Sequence, residues 1–194
     1  MTELSGRKAL SHQRIVDVAS RAIRRQGYDG VNVTEVMRAA KLTHGGFYAH
    51  FASRDALLAE AVAQAGADIA QAVREQSARL VAGGASAFRA MVEIYLSIEH
   101  VRDCDNGCPV SLLSGEMFRQ VPEVAEPSRR LVVGLHEQVK RALPAGAAPD
   151  AAWTVASTLL GAVQLARALV GSDPATAVAV LADAKRNLLA RYDV

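Results

Sequence analysis

Apolar residues recur at i, i+3, i+4 and i+7 along almost the whole chain, and stretches that alternate apolar and polar residues are few and short. That periodicity, in an alanine-rich chain, predicts an all-α fold of about nine helices. In the first helix, about residues 11–26, Ser11 is the expected N-cap, Ile15, Val18, Ala19, Ala22 and Ile23 share one face, and Gly27 ends the run. Two short helices follow, 35–40 after Thr34 and 43–49, joined by a turn at Lys41-Leu42. Ser53 then opens a long amphipathic stretch that Gly83-Gly84 breaks. Further helices are expected over 86–99, from Pro109, over 128–142, over 150–170 and over 175–192.

The chain has 194 residues, 51% of them hydrophobic and only 6 of them Pro, so most of it can bury a core. No apolar run approaches the roughly 20 residues that span a bilayer. The polar start, Met1 to Leu10, lacks the apolar region of a signal peptide. Two cysteines do not make a disulfide framework, and a reducing cytoplasm is the expected compartment. The net charge of +2 is unevenly spread: residues 1–58 carry +4 and the remainder −2. A small basic head on a near-neutral body fits a nucleic-acid module joined to something else.

The two short helices and the longer one before them make a helix-turn-helix, whose second helix enters the major groove of double-stranded DNA. Val36, Ala40, Leu42, Phe47 and Phe51 supply a small core against Ile15 and Ala19. Thr34 and Thr43 are the expected caps of the two helices, with hydroxyl and N–H groups offered to phosphate. Gly45 and Gly46 are poor helix formers, each costing about 1 kcal/mol relative to Ala. Small residues at those positions make sense if the helix approaches DNA closely. His44, Tyr48 and His50 add polar tips, and Lys41 and Arg54 add charge for phosphate oxygens. Packing alone does not explain Gly-Gly in a short helix that also holds Thr, His and Tyr.

From about Ser11 to Leu58 the chain resembles the tetracycline-repressor (TetR) family of bacterial regulators. The resemblance rests on Thr34, Ala39-Ala40, Gly45-Gly46-Phe47-Tyr48, His50-Phe51 and Arg54. Beyond Leu58 it is one of layout only. The family usually has glycine where this chain has Lys41, a position that asks for positive φ. The resemblance implies a DNA-binding domain over 1–52 and a ligand-binding and dimerisation domain over 53–194. It also implies a dimer formed through the last two helices, and a repressor that leaves an inverted-repeat operator when a small molecule binds. A three-helix reader touches few bases, which independently favours two half-sites. Val155, Ala156, Leu159, Leu160, Val163, Ala166, Val178, Leu181, Ala182, Leu188 and Leu189 read either as core or as one side of a four-helix interface, and the interface is the expectation.

Tyr95, His100, Leu113, Met117, Phe118, Trp153 and Gln164 mix large apolar surface with polar tips and are the expected ligand-binding residues. Cys104 and Cys108 are either inert or sensing thiols, and a thiol-based redox or electrophile sensor is the alternative function. His100, Cys104 and Cys108 recur every four residues, but Gly107 and Pro109 argue against one helix presenting them to a metal. No nucleophile, base and oxyanion hole come together, and no Gly-rich phosphate loop is present, so an enzyme is not expected. Neither a cofactor nor a metal is called for.

Overall fold

The computed structural model describes residues 2–193, so Met1 and Val194, the outer bounds of the two expected domains, lie outside the described residues. Ten helical segments and no strand occur among them. They are α1 (Thr2–Gly30), α2 (Val33–Ala39), a 3₁₀ recognition helix (His44–Ala49), α3 (Arg54–Ala82), α4 (Ala87–Tyr95), α5 (Ile98–Arg102), α6 (Pro109–Met117), α7 (Pro122–Ala142), α8 (Ala151–Leu169) and α9 (Pro174–Tyr192).

The chain forms two compact units. The first runs to Asp68 and takes in Cys108–Leu131; the second holds Ile69–Gly107 and the chain from Val132 onward. Helices α3 and α7 each contribute residues to both. Compactness therefore divides the chain elsewhere than the functional boundary expected between residues 52 and 53.

In the first unit, Ile15, Ala19 and Ile23 of α1 meet Val36 and Met37 of α2, Ala40 just past its end, Phe47 and Phe51, and Leu57, Leu58, Ala61 and Val62 of α3. Leu113 of α6 and Val124 of α7 belong to the same core. Burying each large member contributes roughly 1.5–3 kcal/mol, which offsets the poor intrinsic helicity of the short segments. Arg24, 3% exposed, donates to the Ser20 carbonyl, to Ala65 O and to Asp68 Oδ2, tying α1 to α3.

Three expected boundaries move. Helix α1 begins before Ser11, which sits inside it and is not its cap. The single helix expected over 86–99 is two, because the chain turns at Leu96-Ser97 and the Ser97 hydroxyl accepts the His100 N–H to start α5. Helix α7 begins at Pro122 and carries Pro127 inside it. An interior proline costs a hydrogen bond, but full burial of Val124 draws that first turn into the core.

In the second unit α8 and α9 pack as a pair, with α4 against both and α5 against α8. Phe88 and Tyr192 meet edge to face at 5.5 Å, and Asp193 accepts from Arg89 Nε at 2.7 Å and from Ser86. Most of the α8 residues named for an interface, including Val155, Leu159, Val163 and Ala166, are buried within this unit. The exposed face of α8 instead carries Trp153, Thr154, Ser157, Gly161, Gln164, Leu165 and Ala168, none of them charged.

Candidate nucleic-acid interface

The turn of the helix-turn-helix is built by backbone hydrogen bonds. Leu42 N–H donates to Met37 O and Lys41 N–H to Arg38 O, the crossed pair that closes a helix when its next residue is left-handed. Lys41 is that residue, with φ 59°, the one non-glycine at positive φ among the described residues. Its side chain is exposed and carries a charge beside the recognition helix.

Helix α2 is capped by Asn32 and not by Thr34: Asn32 Oδ1 accepts the N–H groups of Thr34 at 2.9 Å and Glu35 at 3.3 Å. The Asn-x-x-Glu spacing was a readable sequence signal for that cap. The Thr34 hydroxyl instead pairs with His44 Nδ1 at 3.2 Å, joining the starts of the two helices. Thr43 occupies the cap position of the recognition helix, but its hydroxyl makes no capping bond.

Phe47, buried to 2%, roots the recognition helix in the core, while Tyr48 on the other side is 74% exposed. Thr43, His44 and Gly45 are exposed with it, and His50 is half-buried at the helix end. A Cβ added at Gly45 meets nothing within 4 Å, and one at Gly46 finds only ordinary contacts at 3.7–3.8 Å. Neither glycine has a positive φ. A Cβ would therefore fit at either position without disturbing its neighbours.

Arg54 is spent internally. Its Nε donates to Val31 O at 3.1 Å, and its terminal nitrogen to the carbonyls of Tyr28 and Asp29. Those are the last carbonyls of α1, where a cation is favoured. Tyr28 itself is a junction: its N–H donates to Glu116 Oε2 at 3.0 Å and its hydroxyl lies 2.7 Å from Ser128 Oγ. Glu116 fits there because Gly27, at φ 75° and ψ 179°, has no Cβ; one would stand 2.6 Å from the carboxylate. Sequence reasoning missed Tyr28 and Glu116, which are 88 residues apart.

Residues 15–61 match the family model described as bacterial regulatory proteins, tetR family. That match places a tetR-type head at the start of the chain. No curated protein matches its sequence. Among solved structures it resembles the reduced form of NemR from E. coli (16% identity, 92% of this chain and 94% of that one, TM-score 0.72). It also resembles a TetR-family regulator from Agrobacterium tumefaciens (19%, 95% and 98%, TM-score 0.72). A third is a TetR regulator from Chloroflexus aurantiacus J-10-FL (22%, 94% and 93%, TM-score 0.70). At these identities the likeness is one of fold. The segment similar to that family thus includes the exposed Thr43, His44, Gly45 and Tyr48.

The expected ligand residues are divided between the units. Leu113 is 1% exposed and, with Met117 packed beside it, belongs to the core of the first unit, while Phe118 is 77% exposed under the Arg119 guanidinium. Trp153, 49% exposed, stacks on His136 at 4.2 Å, and Gln164 is exposed. Tyr95 and His100 do come together, with ring centroids 4.8 Å apart. Burial, and then the Arg167 guanidinium, push the His100 imidazole down to about 4, against a weaker upward pull from Asp103, so it is neutral near pH 7. Its Nε2 is buried without a hydrogen-bond partner. Both cysteines are free thiols: Cys108 is buried at the head of α6 and Cys104 is half-buried in the preceding turn. No group of three metal-ligating side chains occurs among the described residues, and none of their helices is long and apolar enough to cross a membrane.

Proposed function

We propose that this regulator is a homodimeric repressor that binds an inverted-repeat operator and is released by a small molecule. The observation that carries the DNA-reading surface is the glycine pair. Gly45 and Gly46 leave room the chain does not use, beside exposed Thr43, His44 and Tyr48. A groove-bound helix needs that closeness to base edges and phosphates. In this reading Thr43 and His44 read bases, Tyr48 and Lys41 hold phosphates, and Thr34 orients His44. Arg54 supports the head from behind.

The uncharged exposed face of α8, with Val178, Ala179 and Ala182 exposed on α9, supports dimerisation through these two helices. It has the small residues and apolar area that a four-helix interface buries. The effector site we assign to the second unit, around Tyr95 and His100. A buried polar atom without a partner is a reason to look for a ligand there.

Selection from a pool of random duplexes tests the reading. The enriched sequences are expected to contain two inverted half-sites about one helical turn apart. Enrichment of single sites, or of none, would overturn it. A second reading makes the thiols the trigger, since Cys108 heads the helix that carries Glu116. Half-buried Cys104 would react first and buried Cys108 slowly. Electrophile treatment should then weaken operator binding in the wild type but not in Cys104→Ser, Cys108→Ser; unchanged binding leaves the non-covalent effector.

A further inference from the structure

The recognition segment 43–50 carries no lysine, arginine, aspartate or glutamate; its ionisable groups are His44, Tyr48 and His50. With Arg54 committed to the carbonyls of α1, permanent charge at the far end of the recognition helix must come from another element. Helix α1 supplies it. Its early turns hold Lys8 and His12 four residues apart, on one face and ahead of the segment that matches the tetR-family model.

His12 stacks on Phe51 with ring centroids 4.5 Å apart and stands 5.9 Å from the His50 ring. Its Nε2–H donates to Glu60 Oε2 of α3 at 2.7 Å. Three nitrogen bases thus gather at one corner. The Glu60 carboxylate there is already engaged by His12. His50 Nδ1 is buried without a partner. Loss of solvation, then His12, then Lys8 hold the His50 imidazole below its ordinary value in the free protein. The last two of those influences come from nitrogen bases, which also favour an incoming anion. Tyr48, two residues before His50 and 74% exposed, marks the side from which DNA would come. Phosphodiesters flank the groove and meet the ends of a recognition helix.

We propose that Lys8, His12 and His50 form a phosphodiester-binding corner beyond the helix-turn-helix itself, and that His50 takes up a proton from solvent when the DNA backbone docks there. The proposal rests on the DNA-binding reading. It adds contacts from the start of α1 and makes operator affinity depend on pH. The phosphate supplies the negative charge that the free corner lacks. Lys8 and His12, which oppose protonation of His50 in the free protein, then share the anion with it. Affinity must rise as pH falls, because the bound state holds one more proton per head than the free state.

The test uses the full chain and a fluorescein-labelled 30-base-pair duplex of mixed sequence at low salt, since phosphate contacts do not depend on sequence. Wild-type affinity is expected to rise roughly tenfold from pH 7.5 to pH 5.5. His50→Gln should still bind but lose most of that dependence. His44→Gln should bind more weakly and keep it. Lys8→Gln should weaken binding at every pH and shallow the salt slope by about 0.9 per head. In parallel, side-chain ¹⁵N spectra of the wild type should show His50 titrating at higher pH with duplex than without. That measurement stands even if a variant fails to fold. A pH dependence that survives in His50→Gln, or a His50 titration that duplex leaves unmoved, overturns the proposal alone. Absence of duplex binding at any pH overturns the DNA-binding reading with it.

Discussion

At the scale of single residues, the recognition segment shows conflicts between what the chain prefers and what it contains. Gly45 faces open space, so alanine there removes backbone freedom from the unfolded state without meeting an obstacle. Gly45→Ala is expected to leave thermal stability unchanged or raise it by about 0.5–1 kcal/mol, and to weaken DNA binding at least tenfold. Melting curves and anisotropy titrations check the two halves separately; unchanged DNA affinity would mean that the glycine serves nothing outside the chain. Lys41 is the opposite case. Its left-handed φ of 59° costs a side-chain-bearing residue roughly 1 kcal/mol. Lys41→Gly should raise the melting temperature yet shallow the salt dependence of DNA binding by about one unit per head. His100 gives a third expectation. Its imidazole is held at about 4, against an ordinary 6.5 in the unfolded chain. Between those values the unfolded state binds more protons, so this contribution is complete above pH 6.5 and is lost as pH falls toward 4. Up to about 3 kcal/mol should disappear over that window, and His100→Phe, which keeps the ring against Tyr95, should flatten the curve.

At the scale of elements, the end of α1 is where the first unit is joined. Glu116 from α6, Ser128 from α7 and Arg54 from α3 all converge on Tyr28, and the geometry depends on Gly27. Gly27→Ala puts a Cβ in a backbone region that side chains rarely enter and 2.6 Å from the Glu116 carboxylate. We expect it to cost about 2–4 kcal/mol in urea unfolding. A smaller loss would mean that Glu116 swings away freely and does not hold α1. Arg54 also changes meaning here. Read from the chain as a phosphate contact, it is a cap on Tyr28, Asp29 and Val31, so Arg54→Gln should lower stability rather than merely shallow the salt slope. The sequence showed a basic residue at the start of α3. It did not show that the nearest acceptors are carbonyls 23 to 26 residues earlier in the chain.

At the scale of the molecule, the exposed faces of α8 and α9 carry the expectation of a dimer. Leu165 is 59% exposed on α8, amid neutral neighbours. Leu165→Glu places a charge where an apolar interface would be buried. Light scattering should report a monomer, with the helical content of the wild type. Affinity for an inverted repeat should fall about a hundredfold, since one head makes only half of the contacts. A variant that remains dimeric would put the interface elsewhere.

The helical class, the short helices after α1 and the turn at Lys41 were legible in the chain because they rest on local physics. Side chains three and four residues apart share a helix face, and a turn demands its own φ whatever surrounds it. The caps were half legible: Ser53 does accept the Ala56 N–H as its position implies, while Asn32 took the place given to Thr34. The Asn-x-x-Glu spacing pointed to Asn32, and the expectation for Thr34 passed over it. The ligand-residue list shows the limit most clearly. Leu113, Met117 and Tyr95 look alike along the chain, as large residues at helical spacing, yet Leu113 and Met117 pack in the first unit and Tyr95 in the second. Which apolar side chains share a core is a property of long-range packing. Only the tertiary fold brought Glu116 to Tyr28, Arg54 to the carbonyls of α1 and His12 beside His50, because each pairing depends on where whole helices come to rest.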